Sequence, residues 1–185
     1  MNMTEKLKEI LLPWYASSKQ DHLSKHEPVG GDYSNIHLVS MDKLNLDEFP
    51  HVRTDIVNEM RQILQWWTDT ALKHTSTFGV RVYRRDSMLI NHVDRHDTHL
   101  ASAVLQVAQS CDTEGGWPLE VITASGETME VYMQPGEMVL YEGARLFHGR
   151  PMRFKGNEFA NVFTHFAPIT YKYNRDNNQP PHEEL

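Results

Sequence analysis

Three residues carry the densest chemical signal in the chain: His92 and Asp94, separated by one valine, and the distant His148. On a strand, residues i and i+2 share a face, so His92 and Asp94 can offer an imidazole nitrogen and a carboxylate oxygen to one ion. A second histidine from another strand would close one triangular face of an octahedron. Such a two-histidine, one-carboxylate face leaves three positions open, which suits a ferrous ion that must also take a substrate and dioxygen. The tripeptide alone is weak, because a chain with eleven histidines meets His-x-Asp by chance. A polar loop or a hydrogen-bonded histidine is the ordinary alternative. Among the neighbours, His96 shares the parity of His92 and Asp94, but strand geometry is expected to end at Asp94, so it stays outside the ligand set. Thr98 and His99 read as hydrogen-bonding support, His165 as a packed or half-exposed histidine, and Asn91 as structural. The single cysteine, Cys111, has no partner pattern, and excludes a disulfide framework and a cysteine-based zinc module.

The elements that must position these residues divide the chain in two. Its 185 residues, 39% hydrophobic and 23% charged, fit one globular domain. The net charge of −7 argues against nucleic acid or an anionic membrane as partner. No apolar run is long enough for a membrane span, and no signal-peptide core is present, so a soluble cytoplasmic protein is expected. Residues 4–12 predict a short helix capped by Thr4 and stopped by Pro13. Residues 17–53 show little pattern and are expected to fold over the mouth of the domain. Residues 54–72 place Ile56, Met60, Ile63, Leu64, Trp67 and Ala71 at helical spacing, with Thr54 as cap and Trp66 at the edge of the stripe. From residue 77 the period becomes two. Val80 and Val82 fall on one face, Arg81 and Tyr83 on the other, and five more strand-like runs follow at 102–109, 119–123, 127–133, 137–142 and 158–166. Helix followed by many short strands predicts a mostly β, jelly-roll domain with buttressing helices. The whole of 1–185 is then one domain, with a helical and loop part at 1–76, a β core at 77–168 and a frayed tail at 172–185.

Two stretches add context. VRVYRRDSMLINHVDR (80–95) and MQPGEMVLYEGARLFHGRPMRFKG (133–156) resemble the prolyl 4-hydroxylase-type 2-oxoglutarate/Fe(II) dioxygenases. The resemblance spans about residues 77–168, with Tyr83 nine residues before His92 and the distal His148 in an H-G-x-P setting. It implies a double-stranded β-helix, a cupin-like barrel. It also implies Fe(II) on His92, Asp94 and His148, with 2-oxoglutarate and O2 as cosubstrates and ascorbate as an accessory reductant. The implied reaction is hydroxylation of an unactivated C–H, coupled to oxidative decarboxylation of 2-oxoglutarate to succinate and CO2. A peptidyl proline is the first substrate the resemblance suggests, and a free amino acid or other small molecule the alternative. A non-catalytic cupin-like metal-binding or sensor protein is the reading from another class, and the oligomeric state stays open. One departure stands out. The family places a basic residue ten positions after the distal histidine to hold the far carboxylate of 2-oxoglutarate, and here that position is Glu158. If the chain turns as a hairpin near 154–156, Arg150 shares the inward face of His148 opposite Ala160 and can supply the guanidinium. Arg81 is the second candidate, Arg153 and Lys155 poorer ones, and Tyr83 a hydrogen-bond donor to the cosubstrate. Arg95 and Trp117 are expected to line the substrate entrance.

Overall fold

The computed structural model describes residues 1–27 and 41–172. Helix α1 spans Glu5–His22 and α2 spans Pro50–Thr68. The strands are β1 (Leu23–Glu27), β2 (Met41–Leu44), β3 (Leu72–Tyr83), β4 (Leu89–His92), β5 (Ala101–Cys111), β6 (Leu119–Ile122), β7 (Thr128–Val131), β8 (Met138–Tyr141), β9 (Phe147–Arg150) and β10 (Gly156–Pro168). They form a six-stranded sheet ordered β1-β2-β3-β10-β5-β8 and a four-stranded sheet ordered β4-β9-β6-β7, with every described pairing antiparallel. This is the expected jelly roll. No helix among the described residues is long and apolar enough to cross a membrane.

Alternation along the long strands creates the two faces of the larger sheet. Val80, Val82, Leu105, Val107, Ala160 and Val162 point outward and pack against Leu7 and Leu11 of α1 and Ile56, Met60 and Leu64 of α2. Tyr83, Val104, Phe159 and Phe163 point inward, where Trp117, Met133, Tyr141 and Phe154 complete a second, aromatic cluster. A bulge at Gly79 matters for this face. Phe78 pairs with Phe163 and Arg81 with Asn161, so two residues of β3 oppose the single Val162. Phe78, Arg81 and Tyr83 can therefore share the inner face although 78 and 81 differ in parity. A Cβ at Gly79 would approach the Asn161 carbonyl to 2.8 Å, at φ +119, which reserves the position for glycine.

Several boundaries differ from the sequence expectation. Pro13 does not stop α1, which runs on to His22. Proline removes one helical hydrogen bond, but the stripe Leu7, Leu11, Tyr15 stays buried across it. Tyr15 Oη donates to Glu158 at 2.5 Å and Lys19 Nζ sits 3.2 Å from the same carboxylate, tying the second half of the helix to β10. Helix α2 begins earlier and ends earlier than 54–72. Pro50 occupies its first turn after Phe49, so Thr54 is no cap, and left-handed Asp69 ends it before Ala71. Trp67 is 38% exposed and Trp66 76%, so neither belongs to the core stripe. Within 17–53 the chain supplies the end of α1, β1, β2, a 3₁₀ turn at Leu46–Glu48 and the start of α2. The expectation that this segment covers the mouth falls mainly on residues 28–40, and the frayed tail on 173–185, both outside the described residues.

Candidate metal centre

The smaller sheet and the turn after β4 bring together three residues that could hold a metal ion. His92 ends β4 and pairs directly with His148 of β9, bringing the ring centroids to 4.7 Å. Asp94 lies two residues beyond β4, where its N–H donates to the Gly143 carbonyl at 2.8 Å. Its two carboxylate oxygens stand 3.6 Å from His92 Nε2 and 3.6 Å from His148 Nε2. One ligand atom from each residue lies within 4.8 Å of the others. Small side-chain rotations would bring such donors to the bond lengths of about 2.1 Å that first-row ions take with nitrogen and oxygen. The orientation is set from behind: Nδ1 of His92 meets the Ile90 carbonyl and Nδ1 of His148 the Leu146 carbonyl, each at 2.8 Å. Both bonds assign the proton to Nδ1 and leave the Nε2 lone pairs facing Asp94.

Electrostatics agree with this reading. Burial pushes the Asp94 carboxyl up, but His92, His148, His165 and His99 outweigh it and hold the group well below the usual carboxylate range. Burial pushes His148 down against the opposing Asp94 charge, so it stays neutral. An anionic oxygen between two inward-facing imidazole nitrogens is a ligand set that fits a divalent cation. Gly143 makes room for it, since a Cβ there would come within 2.3 Å of Asp94 Oδ2. Tyr141 Oη lies 3.4 Å from that same oxygen.

Deeper in the barrel sits Arg150, two residues along β9 from His148. It is 2% exposed and lies over the rings of Phe159 at 4.5 Å and Trp117 at 5.1 Å. One terminal nitrogen, Nη1, donates to the Trp117 carbonyl, while Nη2 is buried with no partner among the described residues. Burial pushes its pKa down to about 10, and the neighbouring Tyr83, Cys111 and Tyr141 oppose the shift. A buried guanidinium without an anion is costly unless something supplies the negative charge. Tyr83 is fully buried beside Arg81 and Trp117, and burial raises its hydroxyl pKa against the pull of Arg81 and Arg150.

The structure gathers His92, Asp94, His148, Tyr83, Arg81 and Arg150 around one interior, and sets other expected residues elsewhere. Arg150 does not face Ala160 across a hairpin. β9 pairs with β4 and β6, while β10 belongs to the other sheet, because the chain crosses between sheets after Arg150. Glu158 looks outward to Tyr15 and Lys19, so it neither repels a ligand nor pairs with Arg150. Trp117 is no rim residue. It is 4% exposed, packed on Tyr83, Phe154 and Phe159, and its Nε1 donates to the Met152 carbonyl at 2.7 Å. Arg95 pairs with Asp97 at 2.8 Å in the loop after the ligands, and Arg153 and Lys155 are exposed. His165, expected as a packed or half-exposed histidine, is 1% exposed, with its ring centroid 3.6 Å from that of His99. Its parity with Phe159 and Phe163 was the available signal, because that parity is the inner face.

No family model matches the chain, and no curated protein sequence matches it significantly. Solved structures do match at the level of the fold. A Pseudomonas putida prolyl-4-hydroxylase superposes with a TM-score of 0.55 at 16% identity, covering 88% of this chain and 86% of that one. A Trichoplax adhaerens prolyl hydroxylase, in complex with a hypoxia inducible factor peptide fragment, gives 0.61 at 11% identity over 86% and 78%. HygX from Streptomyces hygroscopicus, with nickel, 2-oxoglutarate and hygromycin B bound, gives 0.56 at 12% identity over 91% and 80%. The chain therefore has the fold of the 2-oxoglutarate/Fe(II) oxygenases.

Proposed function

We propose that this protein is a 2-oxoglutarate- and Fe(II)-dependent dioxygenase that hydroxylates an unactivated carbon. One observation carries the reading: a His–Asp–His face and an anion-less buried guanidinium, Arg150, line the same barrel interior. The balance is R–H + 2-oxoglutarate + O2 → R–OH + succinate + CO2. Iron bound by His92, Asp94 and His148 supplies the redox chemistry that couples the two oxidations. The chain supplies the frame. His92 and His148 hold their Nε2 lone pairs inward through the Nδ1 bonds to backbone carbonyls, and Asp94 adds the one negative charge of the ligand face. Arg150 receives the far carboxylate of 2-oxoglutarate, and Tyr83 stands beside it to donate a hydrogen bond. Trp117 and Phe159 exclude water from that inner end, which strengthens the ion pair.

Both substrate classes are represented among the structural neighbours, a peptide in the Trichoplax complex and a small molecule in HygX. The test is anaerobic reconstitution of the full chain with Fe(II), then addition of 2-oxoglutarate and O2. Succinate that disappears in His148→Ala is the expected result. Tight metal binding with no succinate under any substrate would establish the non-catalytic metal-binding protein instead.

A further inference from the structure

A second guanidinium faces the same interior. Arg81 lies over the rings of Phe78 at 4.4 Å and Phe163 at 5.2 Å, beside the Tyr83 hydroxyl. Among the described residues no carboxylate pairs with it. The dioxygenase reading, on which this inference rests, provides only one distal carboxylate, because the other end of 2-oxoglutarate goes to the metal. Arg150 has the stronger claim to it, being fully buried with Nη2 unpartnered. Arg81 is then a half-buried cation in an aromatic surround that cannot neutralise it.

Near Arg81 is a buried ring nitrogen, Nε2 of His165, with no partner among the described residues. Phe78, which carries Arg81 on one ring face, stacks with His165 at 5.2 Å. Assigning the Ser102 proton to the His99 carbonyl at 3.2 Å makes Oγ the acceptor, at 2.8 Å, of Nδ1–H of His165. In that tautomer His165 Nε2 carries a lone pair, and it is buried with no partner among the described residues. Thr98 Oγ1 likewise lies between Asp97 Oδ1 at 3.2 Å and His99 Nδ1 at 2.6 Å. The pair is close to the metal face, since Ser102 Oγ and Asp94 Oδ2 both crowd the same side of Gly143.

We infer that Arg81 and His165 form the subsite for the molecule that is hydroxylated, and that this molecule is a small carboxylic acid bearing an N–H or O–H donor, such as a free amino acid. A carboxylate would engage Arg81 with two parallel hydrogen bonds, and the donor would satisfy His165 Nε2. An internal prolyl residue offers neither group. Binding it would leave His165 Nε2 unpaired and the Arg81 charge without a counter-ion, which is how a site built for hydrogen bonding rejects the wrong ligand.

The probes are free L-amino acids, 2-hydroxy acids with the same side chains, the carboxamides of both, and a peptide with an internal proline. Each is offered to the Fe(II)-reconstituted full chain with 2-oxoglutarate and O2. At least one free acid is expected to stimulate succinate formation and gain one oxygen atom by mass, and its carboxamide to be about tenfold or more poorer in kcat/KM. That comparison needs no variant. In Arg81→Gln the KM for the acid should rise about tenfold to a hundredfold, more than the KM for 2-oxoglutarate, with partial rescue by Arg81→Lys. The amino-acid and hydroxy-acid arms decide which donor His165 accepts. Preference for the internal-proline peptide overturns the proposal. So does an equal rise in the 2-oxoglutarate KM for Arg81→Gln and Arg150→Gln, which would make both arginines cosubstrate ligands. Calorimetry of the same probes on O2-free protein loaded with Fe(II) and 2-oxoglutarate separates the two levels. Succinate formation with no binding of any small acid overturns the subsite alone. Arg81-dependent binding of an acid without any succinate supports the subsite while overturning the dioxygenase reading.

Discussion

The outer face of the six-stranded sheet meets the helices through Val80, Val82, Leu105, Ala160 and Val162, whereas the inner face of the same strands presents Arg81, Tyr83, Ser102, Phe159, Phe163 and His165. The outer contact is predominantly apolar, with Trp14 Nε1 of α1 its buried donor lacking a partner among the described residues. The inner one contains groups, Arg150 Nη2 and His165 Nε2, that are buried without partners among the described residues. Native interiors pair nearly all buried polar atoms, so a guanidinium and an imidazole left unpaired around the His92–Asp94–His148 set mark a place where stability is conceded to a ligand. The outer face therefore holds the barrel together, and the inner face is prepared for molecules that are not part of the chain.

The sharpest way to break that division is to remove a metal ligand. Asp94→Ala or His92→Ala should abolish stoichiometric Fe(II) binding and lower succinate formation by more than about a hundredfold, read by metal analysis and turnover. On the outer face, Ile56→Ala should cost about 2–5 kcal/mol in denaturant unfolding while leaving the KM for 2-oxoglutarate unmoved. A rise in that KM would mean the faces are not independent. Arg150→Ala should raise the 2-oxoglutarate KM about a hundredfold, equivalent to about 2.7 kcal/mol, and Arg153→Ala less than about twofold. Equal, small effects would move the anchor to Arg81. Because Arg150 is a buried charge without an anion, Arg150→Met should leave the cosubstrate-free protein as stable or more stable, a sign no outer-face truncation shares. Gly143→Ala should weaken metal affinity about tenfold to a hundredfold by displacing Asp94.

The smallest effect expected is that of pH on the metal-free protein. Burial holds His74, His99, His148 and His165 below the ordinary histidine value of 6.5. The unfolded chain thus binds more protons than the folded one below that value, and stability must fall as pH falls through it. Denaturant midpoints measured from about pH 8 to about pH 5.5 should decline, and His165→Asn should flatten the decline. A midpoint independent of pH would show that these rings are not buried in neutral form.

Much of this was legible in one dimension. His-x-Asp at strand spacing and the distant His148 needed only the rule that alternate residues share a face, and the same rule put Arg81 and Tyr83 opposite Val80 and Val82. Boundaries governed by long-range contact were not legible. Pro13 signals a helix stop, yet Tyr15 and Lys19 are held by Glu158, which lies far along the chain. Trp67 has core spacing in the helix, but α2 rotates its Leu64 side to the sheet and leaves Trp67 partly in solvent. Trp117 in a Gly-Gly-Trp-Pro loop reads as exposed, and only the packing of Phe154 and Phe159 around it makes it the floor of the barrel.

By itself the sequence determined the types and local spacing of the ligands, the alternation that separates two faces of each strand, and the sharing of one face by Arg81 and Tyr83 and of another by His148 and Arg150. The tertiary structure alone decided that β9 pairs with β4 rather than β10, that Glu158 turns outward, and that His165 comes to lie beside Asp94. Local periodicity is set by bond geometry within a few residues. Which strands become neighbours depends on how two sheets close over a shared core, and that is a property of the whole chain.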